Sequence, residues 1–281
     1  MAVLGAPAHY NGNSADLLVP PRVAIRHRLA FMRFLVRAIA RRYRLNAFGI
    51  FWTVLAPLTT LLIYLLAFTF ILRSPWAAAS ADTVSYGLNL FAGLIVFWMM
   101  ADVLNGSSGA IADYANLVKK AVFPVEILPL VVVGSAVFHT LISTVILIVA
   151  TFAIQGHVPA TVLLFPIVLL PFILLLMGIA WALAGIGVYL RDLAQVVALF
   201  MTAALFLSPI LYPLDRLGPA LRKLIVLNPV TVIVEQMRNV MLTGATPDWG
   251  ALAIYTIVAW ILAALGLALF RHLRSGFGDV L

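Results

Sequence analysis

The sequence predicts an all-α integral membrane protein with six transmembrane helices, and three observations carry that prediction. Only 10% of the 281 residues are charged while 64% are hydrophobic, and the mean hydropathy is +1.11; a soluble domain carries about 25% charged residues. Apolar stretches recur at the length of about 20 residues that crosses roughly 30 Å of hydrocarbon. Between Glu126 and Arg191 lie 64 residues with no Asp, Glu, Lys or Arg, as expected where one charge at the bilayer centre costs about 2.5–3.5 kcal/mol. This composition excludes an ordinary soluble enzyme, a nucleic-acid binder and a disordered regulator. The net charge of +8 belongs instead to helix orientation and to anionic membrane lipid. With no cysteine there is no disulfide, thiolate metal site or Cys nucleophile.

Residues 1–21 hold no Lys or Arg and no apolar run with a cleavage site, so they read as a flexible cytoplasmic tail rather than a signal peptide. Residues 22–44 carry eight arginines, six of them (Arg22, Arg26, Arg33, Arg37, Arg41, Arg44) on one helical face. Ile25, Leu29, Met32, Val36, Ile39 and Tyr43 form an apolar stripe at i+3/i+4 spacing. That pattern suits an amphipathic helix in the membrane interface; the same arginines also suit a plain positive-inside anchor. The remainder, 45–281, then divides into spans.

The first span is 45–72, 28 uncharged residues closed by Arg73, with Pro57 as a kink. The second has its core at 88–101 between Asp82 and Asp102, followed by a polar stretch, Asn105 to Gly109. Gln155 to Pro159 must break the long uncharged run, since a single helix of that length would be about three bilayers long; spans three and four are therefore 127–154 and 160–189. The fifth span begins at 193–207 and is disrupted by Pro209 and Pro213. In 215–244, Asn228 and Pro229 open a helix and Gly244 closes it. Its roughly 15 residues, about 22 Å, are too short to cross, so the region reads as two short external or re-entrant helices. The sixth span is 249–270.

With the N-terminus inside, the inner segments hold 13 basic residues and the outer loops five, which places both termini in the cytoplasm. No phosphate loop of the GxxxxGK[ST] type and no HExxH occurs. His139 is the single histidine deep in a span and lacks a carboxylate at i+3 or i+4. Asp102 reads as a span-end cap, and the spans lack the acid pair of a proton relay.

One segment, 116–129, is a short cationic piece ending in Phe123 and Pro124 and running into span three. Pro124 forces Phe123 extended, so a separate stub should precede it. On periodicity alone it is an interfacial loop with two stop-transfer lysines. Yet this stretch resembles the coupling segment of polysaccharide-export ABC permeases, the type-2 export family that handles O-antigen, capsular polysaccharide and teichoic acid. Three further blocks continue the resemblance: 44–57 at the opening of span one; Tyr189, Leu190, Arg191 and Asp192 after span four; and Ser208 to Pro213 with Asn228 and Pro229 downstream. Together they run in order from 44 to 240.

The resemblance implies six spans, a homodimer and two cytoplasmic ABC ATPase subunits that bind the ATP and Mg, this chain holding no cofactor. It places Asn116, Leu117, Lys119, Lys120, Phe123, Pro124 and Glu126, in a coupling segment spanning 110–126, against the ATPase, with Arg191 and Asp192 near a second contact. The expected cargo is a lipid-linked polysaccharide of O-antigen type crossing a bacterial inner membrane; a capsular or teichoic acid polymer is the alternative. A polymer path needs aromatic faces and hydroxyls, and Thr60, Tyr64 and Phe68 at i+4 spacing, with Phe206 and Tyr212, are its expected lining. Each also fits ordinary packing or an interfacial aromatic belt. A membrane-embedded transferase and a passive scaffold are the readings from other classes.

Overall fold

The computed structural model describes residues 20–43, 49–67, 83–118, 123–212, 218–226 and 228–280. The expected tail up to residue 19, Phe68, Lys119 and Lys120 lie outside them. Among the described residues all regular structure is helical. The chain runs through α1 (Arg22–Arg26), α2 (Arg28–Tyr43), α3 (Trp52–Leu66), α4 (Thr83–Ser108), α5 (Ala115–Val118), α6 (Ile127–Gln155), α7 (Phe165–Tyr189), α8 (Leu193–Leu207), α9 (Pro219–Val226), α10 (Pro229–Arg238), α11 (Trp249–Arg274) and α12 (Phe277–Val280).

Among the described residues four segments are long and apolar enough to cross a membrane: Gly87–Ser108, Ile127–Gln155, Ala160–Tyr189 and Trp249–Arg274. The α3 and α8 helices are apolar but shorter, 15 residues each. The expected break at 155–159 is present. Gly156 caps α6 with φ of 74°, a left-handed conformation that glycine adopts without the Cβ clash of other residues. Gly244, also at φ 74°, closes the helix opened at Asn228, whose side chain accepts a hydrogen bond from the Val230 amide at 3.0 Å.

Two expectations are corrected. The second span does not end at Ala101, nor is Asp102 a cap: α4 runs on to Ser108. Its polar tail stays helical because Asn105 donates to the Ala101 carbonyl at 2.8 Å and Ser108 to the Asn105 carbonyl at 2.7 Å, satisfying side chains within the helix. The basic stretch at 22–43 is also two helices, broken at His27.

The core forms where small residues let backbones approach, the mode by which helices associate without a hydrophobic drive between them. A Cβ on Gly178 of α7 would lie 2.6 Å from the Leu262 carbonyl of α11, and one on Gly266 would strike the Gly178 carbonyl. Ala259, Ala263 and Leu267 are buried on the same stripe of α11. The opposite stripe, Ile254, Ile257, Val258, Ile261 and Leu265, is exposed, and so are Leu141, Val145, Val149 and Phe152 on α6. Contiguous apolar faces of this extent fit hydrocarbon rather than water.

In the 215–244 region α10 is buried through Val230, Ile233, Val234 and Met237, packed on α4. Its two charges serve one junction. Arg238 pairs with Glu235 at 2.8 Å, donates to the Asn89 carbonyl at 3.1 Å, and reaches the Ile210 carbonyl at 3.2 Å.

Candidate functional site

The arginine-rich helices, the start of α6 and the ends of α4, α7 and α11 meet at one end of the bundle, the basic end. On α2 three faces separate. Leu29, Met32 and Val36 are exposed, as is Ile25 on α1, and so are Arg33, Arg37 and Arg41, while Phe31, Phe34 and Leu35 turn inward. Phe34 packs edge-on against Tyr114 (centroids 5.7 Å apart) and Phe123 (5.3 Å). The aromatic trio ties α2 to both flanks of the expected coupling segment, a geometry worth about 0.5–1.5 kcal/mol per pair beyond area burial. The segment itself is a 3₁₀ turn at Ala112–Tyr114 followed by the single turn of α5, which holds Asn116 and Leu117.

Glu126, expected to face a partner, instead points inward. Its side chain is 2% exposed and paired with Arg271 of α11 through two bonds, at 2.9 and 3.2 Å, with Arg274 at 3.8 Å. The Trp181 indole donates to the Glu126 carbonyl at 2.9 Å. One residue thus joins the end of the segment to α7 and the last helix. Tyr189 adds a second tie, donating to the Leu273 carbonyl at 2.7 Å. Arg191 and Asp192 form the exposed turn between α7 and α8.

Farther into the bundle lies a cluster that the sequence reading did not find. Arg42 donates to both oxygens of Asp102, at 3.0 and 3.2 Å, and His139 Nδ1 sits 3.3 Å from Asp102 and 3.2 Å from Arg42. The signal for it was present: Arg42 lies off the arginine face, on the inner side of α2. The cluster edges a cavity of about 250 Å³ between α3, α4 and α6, where Trp52, Trp98, Thr53, Thr60, Thr140 and Ser143 are among the lining residues. A second recess, about 460 Å³, shares Arg42, Asp102 and Ala136 with it and extends to Asp113 and Tyr114.

Of the expected path residues, Thr60 lines this cavity, and Tyr64, one turn on, packs against the core. Phe206 is 63% exposed near the end of α8, where Tyr212 donates to its carbonyl at 2.8 Å. Among the described residues no group of His, Cys, Asp and Glu could hold a metal ion.

Comparison with known proteins adds a family. The family model described as ABC-2 type transporter matches residues 30–242. The chain is 27% identical over 245 residues to an O-antigen export system permease protein of Myxococcus xanthus, a match covering 86% of this chain and 92% of the relative. It is 28% identical over 243 residues to a Klebsiella pneumoniae protein of the same description, with 85% and 90% covered. A polysialic acid transport protein of Escherichia coli is 24% identical over 241 residues, with 84% and 90% covered.

Proposed function

The chain belongs to the ABC-2 type transporter family, and from that premise we propose that it is the membrane permease of an ATP-driven exporter of lipid-linked polysaccharide across a bacterial inner membrane. The cargo is a glycan of O-antigen type. The single observation carrying this reading is the near full-length match to O-antigen export permeases, 92% of the relative in one case. The weaker match to a polysialic acid transporter keeps capsular polymer as the runner-up.

In this reading α3 and α8 complete a six-span bundle and both termini are cytoplasmic. Two copies of the chain assemble with two ATPase subunits, which hold ATP and Mg. Asn116, Leu117, Lys119 and Lys120 seat in the ATPase, and Arg191 and Asp192 lie at a second contact. Phe123, Pro124 and Glu126 act behind that contact: the aromatic trio carries displacement to α2, and the Glu126–Arg271 pair carries it to α11. Thr60, Tyr64, Phe68, Phe206 and Tyr212 line the polymer path. The support is physical. A short stub tied by half-buried aromatic contacts and, at its end, by the buried Glu126 ion pair transmits motion instead of absorbing it, since packed interiors deform little.

One observation speaks for a membrane-embedded transferase: the Asp102–His139 pair beside a cavity, an arrangement able to move a proton. His139→Gln discriminates, because the amide still donates and accepts hydrogen bonds but cannot shuttle a proton: it abolishes a transferase and leaves an exporter running.

The test is purification of the tagged chain from its native membrane, followed by assay for an accompanying ATPase. Wild type is expected to bring down a nucleotide-hydrolysing subunit, and Lys119→Glu/Lys120→Glu to lose it. Absence of any such subunit from the wild type overturns the exporter reading.

A further inference from the structure

We propose that the cavity between α3, α4 and α6 is a binding subsite for one neutral sugar ring, present in every copy of the chain; it rests on the polysaccharide reading above.

Hydroxyls in apolar helices ordinarily bond back to the carbonyl one turn earlier. Thr60, Thr202 and Thr256 do so, to Ala56, Ala198 and Leu252. Thr140 and Ser143 differ. They are 4% and 7% exposed, line the cavity, and make no hydrogen bond among the described residues. Unlike the hydroxyls of Ser107, Thr144 and Thr151, which are sealed away without a partner, those of Thr140 and Ser143 belong to a cavity wall, where two hydroxyls one turn apart offer a guest paired polar contacts. Water can serve them, since Asp102 and His139 line the same space, but a guest with both an apolar face and hydroxyls uses the rest of the lining as well. Trp52 and Trp98 border the same space, and an indole face suits the apolar C–H face of a pyranose while hydroxyls around its rim find the polar wall.

Charge selects among guests. Arg42 is the cation nearest the cavity, and Asp102 already neutralises it through two bonds. A phosphate there would meet the Asp102 carboxylate beside the one guanidinium of the lining. A polyol meets an acceptor in Asp102 and a group in His139 that donates or accepts according to its tautomer. The geometry therefore favours an uncharged, hydroxyl-rich ring over an anionic headgroup.

The test uses the permease together with its ATPase in nanodiscs. The probe is a tritiated oligosaccharide, one repeat unit cut from the source organism's own surface polysaccharide. Saturable binding is expected in the wild type, weakened about tenfold by Thr140→Val/Ser143→Ala, which keeps volume and removes two hydroxyl partners. Trp98→Ala should weaken it similarly and Trp98→Phe should restore most of it. Thr202→Val, whose hydroxyl is satisfied elsewhere, should leave it unchanged. Co-elution of each variant with the ATPase as a monodisperse complex verifies that it is folded. Unaltered binding in folded Thr140→Val/Ser143→Ala overturns the site, as does wild type without saturable binding, or displacement of the probe by inorganic pyrophosphate in variant and wild type alike. Failure of the export reading is seen separately, as surface polysaccharide persisting in cells that lack the gene.

Discussion

Arg42 and Glu126 are charged side chains whose partners lie far along the chain, 60 residues away at Asp102 and 145 away at Arg271. Sequence spacing shows such residues as charges but not as pairs. The helical wheel nevertheless separates Arg42 from the six arginines that share one face, and an off-face arginine beside a span calls for an acid partner. Glu126 gives no comparable hint, because a carboxylate after Phe123 and Pro124 fits a surface loop equally well. Its burial sets a prediction. Glu126→Gln leaves Arg271 and Arg274 facing a neutral amide, and breaking one side of a buried pair costs about 3–5 kcal/mol. Since both arginines keep some exposure, 16% and 20%, the lower end is expected. The measurement is the thermal unfolding midpoint in detergent, with Arg271→Lys as the milder companion. An unchanged midpoint in Glu126→Gln would remove the pair from any structural role.

At the scale of elements, hydropathy located helices well where a helix is uncharged throughout. The expected 193–207 coincides with α8 (Leu193–Leu207), and 127–154 with α6 (Ile127–Gln155) within one residue. It failed where polar residues continue a helix, as at the end of α4, because hydropathy cannot know that those side chains bond within their own turn. Packing was less legible still. Gly178 and Gly266 stand in the sequence as ordinary glycines, and only their mutual approach explains them. Gly178→Ala should cost about 1–3 kcal/mol through overpacking, since the new methyl meets backbone that cannot step aside. Size-exclusion chromatography of the solubilised chain should show aggregation, whereas Gly250→Ala, which meets only the Asp248 carboxylate at 3.4 Å, should elute as wild type.

For the whole molecule, the legible quantity was charge. Thirteen basic residues against five set the expected orientation, and four of those five lie in the 215–244 region, where Arg238 is spent on a buried junction. Alkaline phosphatase fused after Gly156 should therefore be active in whole cells and inactive when fused after Val280; the opposite pattern would invert the topology. The kind of function was legible too, because it rests on the order of motifs over most of the chain, which survives low identity. The inner cavity was not, since its walls come from three helices; of its lining residues the sequence points only Thr60 to a path, and marks Pro57, Asp102 and His139 as a kink, a cap and a lone histidine.

The knot at Glu126 also has a history during synthesis. Its arginine is made 145 residues later, which at about 5–20 residues per second is roughly 7–29 s of translation. Throughout that interval a carboxylate destined for the interior has no guanidinium to meet and must stay hydrated at the membrane surface. The entrance to α6 consequently settles last, although its sequence emerges before the chain is half made. A ribosome stalled just short of residue 271 should display residues 123–128 as a protease-sensitive stretch that closes once the final helix arrives.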